Sequence, residues 1–176
     1  MSAPRPGHVL VAEKEIAARV AELGRAITRD YGDTNLVLVG VLQGAIPFVA
    51  DLMRSLPIAL TVDFLRASSY GPGTTSSGIV RLVAALSIDI AGRHVLIVDD
   101  IVDTGHTLAA LKRALEARHP KSVRTCVLLD KTGRREAEVT VDYVGFAIPN
   151  VFVVGYGLDY DGLYRNLPHV ATLEGL

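Results

Sequence analysis

The stretch that most constrains the fold runs from Val95 to Leu108, where an apolar strand passes through acidic residues and a Thr-Gly-x-Thr turn into a helix. A chain that enters a helix through a glycine-containing turn directs backbone N–H groups and the positive end of the helix dipole at one point, where a phosphate can bind. Asp99 and Asp100 end the strand and suit ribose hydroxyls or a hard divalent cation, and Asp103 lies in the turn itself. The stretch therefore predicts a site for a sugar phosphate with a metal ion nearby.

The spacing of this stretch argues against the commoner phosphate-binding motifs. The chain has neither a Gly-x-x-x-x-Gly-Lys-Ser/Thr loop nor a Gly-x-Gly-x-x-Gly fingerprint after its first strand, so a nucleoside triphosphatase and a dinucleotide-binding domain are not favoured. A purely structural interpretation is that Asp99 and Asp100 end a strand and that Asp103 or Thr104 caps a helix. That interpretation needs several coincidences at one junction, and we favour the functional one.

The order of residue types in this stretch resembles the phosphoribosyl diphosphate signature of the type I phosphoribosyltransferases: four apolar residues, two acids, two apolar residues, then Asp-Thr-Gly-x-Thr. Other segments are similar to the hypoxanthine-guanine branch of that family, and the resemblance extends from Leu36 to Val170. These segments are a C-terminal hood (145–149, 152–160 and 164–169), a flexible catalytic loop (68–71 and 76–78) and a base-recognition turn (129–132).

Length and composition fit a single domain that binds small molecules. The 176 residues, 49% hydrophobic and 21% charged, can bury a core without disulfides, and Cys126 in an apolar run is expected in that core. A formal charge of −1 gives no sign of a nucleic-acid-binding surface. With no signal-like start and no membrane-length apolar run, we expect a cytoplasmic protein without a membrane partner, and we expect a homodimer or homotetramer.

The hydrophobic pattern predicts an α/β fold with a central, mostly parallel, twisted sheet flanked by helices. The resemblance implies that this is the type I phosphoribosyltransferase fold with its small hood. We expect one domain over residues 1–176, with a core at about 36–145 and a small hood formed by about 146–176 and the N-terminal residues. The predicted helices are Val11–Thr28, Ala45–Leu56 and Thr107–Arg118, and the predicted strands are Leu36–Leu42, Ile58–Leu65, Ile79–Ala84, Val95–Val98 and Val123–Leu129.

The resemblance implies a reaction in which a purine displaces pyrophosphate from C1 of phosphoribosyl diphosphate with the help of Mg²⁺. It implies Asp103 as the general base and a 5'-phosphate site at Asp103, Thr104, Gly105, His106 and Thr107, with ribose and metal contacts at Asp99 and Asp100. The remaining implied roles are pyrophosphate binding by Gln43, Gly44 and Arg165, purine binding by Lys131, Phe152, Val153 and Asp159, a second metal contact at Asp159, and closure of the flexible loop through Ser69 and Tyr70.

Two positions depart from the family pattern. Gln43 is neutral where the family's pyrophosphate loop commonly carries Lys, and Asp99 stands where the family often carries the longer Glu. The first change weakens the electrostatic attraction for pyrophosphate. Two other functions remain open on the sequence: a phosphoribosyltransferase that prefers xanthine, and an RNA-binding regulator of pyrimidine operons with the same fold. The second is less favoured because the chain has no pronounced basic face.

Overall fold

A computed structural model describes residues 4–69, 80–84, 86–131 and 133–175 of the chain. It has three helices and nine strands in these ranges. In chain order they are β1 (Arg5–Val11), α1 (Glu13–Tyr31), β2 (Leu36–Leu42), α2 (Ile46–Arg54), β3 (Leu60–Ser69), β4 (Val80–Ala84), β5 (His94–Val102), α3 (His106–Glu116), β6 (Ser122–Lys131), β7 (Tyr143–Ile148), β8 (Val153–Val154) and β9 (Val170–Glu174).

The central sheet has six strands in the order β4-β3-β2-β5-β6-β7. All neighbours are parallel except β3 and β4, which are antiparallel. Strand β2 lies in the interior of the sheet, and its valine- and leucine-rich run is buried along nearly its whole length, as expected for a strand covered on both faces. The predicted α/β fold with a mostly parallel sheet is confirmed.

The core consists of two hydrophobic clusters, one on each face of this sheet. Helices α1 and α2 cover one face, and α3 covers the other. The apolar positions predicted for α1, which are Ile16, Val20, Leu23 and Ile27, are all buried in the first cluster. Cys126 is fully buried there as well, as predicted.

The structure differs from the predicted elements at the two edges of the central sheet and at the N-terminus. Strand β4 pairs antiparallel with β3, and only ten residues separate Ser69 from Val80, which is fewer than a parallel crossover connection needs. Strand β7, Tyr143–Ile148, was not predicted, and it pairs in parallel with β6 at the other edge of the central sheet. The pattern of Arg5–Val11 did not predict a strand, yet it forms β1.

A second sheet joins the two ends of the chain. Its three antiparallel strands are in the order β1-β9-β8, and we call this sheet, together with residues 155–169, the hood. The Tyr164 hydroxyl donates to the carbonyl of Pro4 at 2.9 Å. The Tyr156 hydroxyl donates to Asp51 Oδ2 of α2 at 2.7 Å and so fastens the hood to the core. Among the helices described, none is long and apolar enough to cross a membrane.

Candidate active site

The turn between β5 and α3 forms a small pocket of about 110 Å³. Gly105 adopts the left-handed φ of 86° that lets the chain turn sharply into α3. The helix's first bond from this turn is donated by Ala109 N–H to the Gly105 carbonyl at 2.9 Å, so the N–H groups before it remain available, as at other helix starts. The pocket is lined by Asp99, Ile101, Val102, Asp103, Thr104, Gly105, Thr107 and Leu108. It has the donors and dipole orientation of a single-phosphate site.

The adjacent acids Asp99 and Asp100 serve different sides of this end of the sheet, because successive residues of a strand point to opposite faces. Asp99 lines the phosphate pocket, whereas a carboxylate oxygen of Asp100 lies against the Cα of Gly44 in the turn after β2. Burial, and then the charge of Asp100, raises the pKa of Asp99. Burial also raises the pKa of Asp100, against hydrogen bonds and the nearby Arg165, which lower it.

The turn after β2 packs against the hood at two glycines. The Cα of Gly157 touches the carbonyl of Gly44, where a side chain on either residue would collide with its neighbours. Arg165 Nη1 donates to the Gly157 carbonyl at 2.6 Å, and its Nη2 lies 2.6 Å from Asp159 Oδ1. Asp159 Oδ2 accepts the N–H of Gly162 at 2.8 Å. These contacts bring Gly44, Arg165, Asp100 and Asp159 close together. In the same turn, the peptide bond between Leu42 and Gln43 is cis.

Asp103 lies beside two cations from the end of β6 and the segment that follows. Lys131 Nζ is 3.5 Å from Asp103 Oδ2, and the Lys131 side chain is only 11% exposed. Arg134 Nε is 3.1 Å from Asp103 Oδ1. An acceptor of protons and a buried donor of hydrogen bonds therefore face each other at the mouth of the phosphate pocket.

An aromatic face lies where the chain enters the hood, just before β8. Phe152 is 43% exposed, and its ring meets that of Tyr160 edge to face with centroids 5.8 Å apart. Next to it, Val153 is buried in β8. An aromatic ring that remains exposed beside a polar site is available to stack on a flat heterocycle.

The segment Gly133–Ala137, which we call the strap, was not assigned a role by the sequence. The Thr104 carbonyl accepts the N–H groups of Glu136 at 2.9 Å and Ala137 at 3.0 Å, and His106 Nε2 lies 3.1 Å from Glu136 Oε2. Arg135 Nη2 donates to Asp130 Oδ1 at 2.7 Å. The strap thus ties the phosphate pocket to the end of β6, and its Arg-Arg-Glu run was the only sequence signal for it.

The flexible loop predicted through Ser69 and Tyr70 cannot be placed. Tyr70 lies outside the described residues, and for Ser69 the structure describes the backbone at the end of β3.

The acids at this end of the sheet suit a metal ion that shares its coordination with substrate. Among the described residues, no group of three or more His, Cys, Asp or Glu side chains could hold a metal ion. Mg²⁺ in phosphoryl-binding sites often uses one or two carboxylates, with substrate phosphates and water as its other ligands. Asp99, which is buried, and the half-buried Asp100, each with a raised pKa, fit that need, because a divalent cation would offset their mutual repulsion.

Comparison with known proteins agrees with this geometry. Residues 9–161 match the family model described as a phosphoribosyl transferase domain. The chain is 51% identical to the hypoxanthine-guanine phosphoribosyltransferase of Mycobacterium avium, covering 94% of this chain and 85% of that protein. The chain belongs to the hypoxanthine-guanine phosphoribosyltransferase family.

Other members of the family are similar over almost their whole length. The hypoxanthine phosphoribosyltransferase of Escherichia coli is 49% identical, with 94% of each chain covered. A crystal structure of the Staphylococcus aureus hypoxanthine phosphoribosyltransferase superposes with a TM-score of 0.93 at 43% identity, covering 96% of this chain and 92% of that one. The resemblance inferred from the sequence is therefore confirmed.

Proposed function

We propose that this chain transfers the 5-phosphoribosyl group of phosphoribosyl diphosphate to N9 of hypoxanthine or guanine, giving IMP or GMP and pyrophosphate, as a purine-salvage enzyme. The observation that carries the proposal is the pairing of Asp103 with the buried Lys131 at the mouth of the phosphate pocket. Family membership and the names of its close relatives support the same reaction.

The sugar is held through its 5'-phosphate. Thr104, Gly105 and Thr107 line the pocket, and so does Asp99. His106 is outside its lining, so we assign the phosphate to backbone N–H groups of the turn and to the hydroxyls of the two threonines. Asp99 and Asp100 would take the ribose hydroxyls directly or through the metal ion. Anchoring the phosphate fixes C1 relative to the purine site, which converts binding energy into orientation.

The leaving group is received on the opposite side of β5. Bond breaking between C1 and the pyrophosphate oxygen leaves its electron pair on pyrophosphate. We assign that charge to Arg165 and the Gln43–Gly44 turn, which is supported by the contacts that both Arg165 and Gly44 make with Gly157. Magnesium held near Asp100, and a second ion near Asp159, would neutralise the pyrophosphate oxygens. Because Gln43 carries no charge, the guanidinium of Arg165 is the main protein cation we assign to pyrophosphate.

The purine forms its bond to C1 through N9 while the proton on N7 passes to Asp103. Lys131 donates to the 6-oxo group, Phe152 stacks on the ring, and the backbones of Val153 and Asp159 face the C2 edge. An ammonium only donates hydrogen bonds, so it satisfies a 6-oxo group and leaves a 6-amino group unpaired. This predicts acceptance of 6-oxopurines and rejection of adenine.

The test is to incubate the protein with Mg²⁺, phosphoribosyl diphosphate and each of hypoxanthine, guanine, xanthine and adenine, and to measure nucleotide formation. We expect IMP and GMP with little AMP. Comparable activity on adenine would end the proposal, and a strong preference for xanthine would favour the xanthine-specific alternative. If no purine reacts but the protein shifts a pyrimidine-operon leader RNA in a gel, the regulator is correct.

Three finer expectations belong to this proposal. Ser69 and Tyr70 close over the reacting sugar and keep water out. The enzyme is a homodimer or homotetramer, which is supported by the exposed apolar Ile46 and Met53 of α2 and Phe64 of β3, and sedimentation analysis would measure it. The cytoplasmic location is a prediction of the sequence alone.

A further inference from the structure

Each of the two carboxylate oxygens of Asp103 faces a different cation. Oδ2 is approached by Lys131 Nζ at 3.5 Å, and Oδ1 by Arg134 Nε at 3.1 Å. Oδ1 is buried and accepts no directed hydrogen bond from the residues that the structure describes. The contact with Arg134 is therefore an ion pair, and the guanidinium is the charge that faces this oxygen.

We propose that Arg134 is a positioning residue for catalysis: it holds Oδ1 of Asp103, so that Oδ2 becomes the oxygen that accepts the purine N7 proton. This inference rests on the proposed function, in which Asp103 is the base. When a 6-oxopurine binds, Lys131 donates to the purine's oxygen and can no longer neutralise Oδ2 in the same way. Arg134 makes no contact with the purine in this scheme and stays on Oδ1.

Contacts of the neighbouring strap residues restrict the position of the Arg134 side chain. On its C-terminal side, Glu136 and Ala137 donate backbone N–H groups to the Thr104 carbonyl, one residue from Asp103. The next residue, Arg135, is anchored on Asp130 Oδ1 of β6 at 2.7 Å. Arg134 is thus carried by a segment bonded to both elements that form the purine and phosphate sites, which restricts its position relative to Asp103.

The solvent exposure of Arg134 and Asp103 indicates how much their ion pair contributes to stability. The Arg134 side chain is 42% exposed and that of Asp103 is 37% exposed, so water screens the pair and its contribution to stability is small. A general base that is turned away from its proton still loses rate, because proton transfer needs hydrogen-bond distance. We expect Arg134→Gln to lower kcat by roughly tenfold and to leave the KM for phosphoribosyl diphosphate nearly unchanged.

The experiment compares Arg134→Gln and Arg134→Lys, each in the otherwise unchanged enzyme and in an Asp103→Asn background. The control is Arg124→Gln. Arg124 also belongs to the β6 region, is 46% exposed and pairs with a carboxylate, Asp30 Oδ2 at 3.6 Å, but it lies near the other end of β6. Steady-state kcat and KM are measured for both substrates, with single-turnover rates for the slow variants.

The inference predicts a loss of kcat in Arg134→Gln, partial recovery in Arg134→Lys, and no further loss when Arg134→Gln is added to Asp103→Asn. Arg124→Gln should keep its kcat. An equal loss in both backgrounds, a rise in KM for phosphoribosyl diphosphate in place of a fall in kcat, or unchanged kinetics would each overturn the role of Arg134. If Asp103→Asn itself kept full turnover, the proposed base would be wrong, and that result is distinct from the others.

Discussion

At the scale of single residues, the charged groups of the site are paired with one another in this structure. Lys131 contacts Asp103, and Arg165 contacts Asp159 and the Gly157 carbonyl. Such pairs keep charged side chains oriented, and they must be exchanged for contacts with substrate in the reaction. The residue-level predictions therefore concern rate and specificity more than folding.

Replacing Asp103 with Asn keeps the shape of the side chain but removes its ability to accept the N7 proton. We expect turnover to fall by roughly a hundredfold or more, the usual scale for a general base. Binding of phosphoribosyl diphosphate should be largely intact, because in the proposed function its phosphate is held by the backbone of the turn. Steady-state kinetics and a direct binding measurement check this, and near-normal turnover would contradict the assignment.

Replacing Lys131 with Gln exchanges a donor-only ammonium for an amide that both donates and accepts. We expect kcat/KM for hypoxanthine to fall by about tenfold or more, and the ratio of hypoxanthine to adenine activity to fall with it, because the amide oxygen can accept from a 6-amino group. Competition assays with both bases measure that ratio. An unchanged preference would show that another group rejects adenine.

At the scale of elements, the hood is fastened to α2 through the Tyr156 hydroxyl, which donates to Asp51. Burial, and then this hydrogen bond, raises the pKa of Tyr156, so the phenol stays protonated as the donor. Tyr156 has a positive φ of 48° between Gly155 and Gly157, both at φ 97°. This strained turn sets Gly157 against Gly44 and so joins the hood to the turn after β2.

Removing that hydroxyl in Tyr156→Phe should loosen this junction. We expect the KM for phosphoribosyl diphosphate to rise severalfold and stability to fall by about 1 kcal/mol, the net value of one hydrogen bond. Tyr143→Phe is a matched control, because Tyr143 is equally buried (both are 8% exposed) and its hydroxyl donates to Asp30 at 2.7 Å. The control should lose similar stability in urea unfolding without a change in KM, and equal KM values in both variants would contradict the account.

Strand β3 is tied to the segment after β4 through Asp63. Its carboxylate accepts N–H groups from Phe64 and Ser87 at 2.7 Å and from Ile88 at 3.2 Å. Burial tends to raise the pKa of Asp63, but these donors outweigh it and lower the pKa. The unfolded chain therefore takes up this proton at higher pH than the folded protein, so the stabilisation is complete above the unfolded pKa of about 4 and is lost as pH falls towards the lower folded pKa.

Asp63→Asn should remove that part of the acid dependence. We expect a loss of about 1 kcal/mol at neutral pH and a smaller difference between variant and parent at about pH 3. Urea unfolding at several pH values measures both. Asp89→Asn is the control, because Asp89 accepts a single local N–H, from Ala91 at 3.0 Å. A difference between Asp63→Asn and parent that stays constant down to acid pH would contradict the proposed linkage.

At the scale of the whole molecule, the sequence predicted those helices and strands whose hydrophobic pattern lies within one short segment of the chain. The buried run of β2, the apolar stripe of α1 and the strand-turn-helix from His94 to Glu116 all form as expected, because each pattern matches the period of its element. Strand β1 was missed because Arg5–Val11 contains Pro and Gly and buries only Val11, and only pairing with β9 at the other end of the chain makes it a strand.

The same distinction between local patterns and contacts distant in the chain applies to the site. The turn to which we assign the phosphate could be proposed from the sequence because its residues are consecutive. The contact between Tyr156 and Asp51 joins positions 105 residues apart, and Arg134 meets Asp103 only because the strap folds back over the turn. The opposite orientation of Asp99 and Asp100 follows from the alternation of a strand, but their partners depend on the packing of the Gly44 turn and α3 around β5.

The central claim is that the turn from Asp103 to Thr107 binds the 5'-phosphate of a ribosyl ligand beside a base-recognising Lys131. Its most direct test is a crystal structure of the protein with IMP or GMP bound. We predict the phosphate on the N–H groups between Thr104 and Thr107 and the 6-oxo group within hydrogen-bond distance of Lys131 Nζ. A nucleotide bound elsewhere, with this turn free of phosphate, would contradict the account.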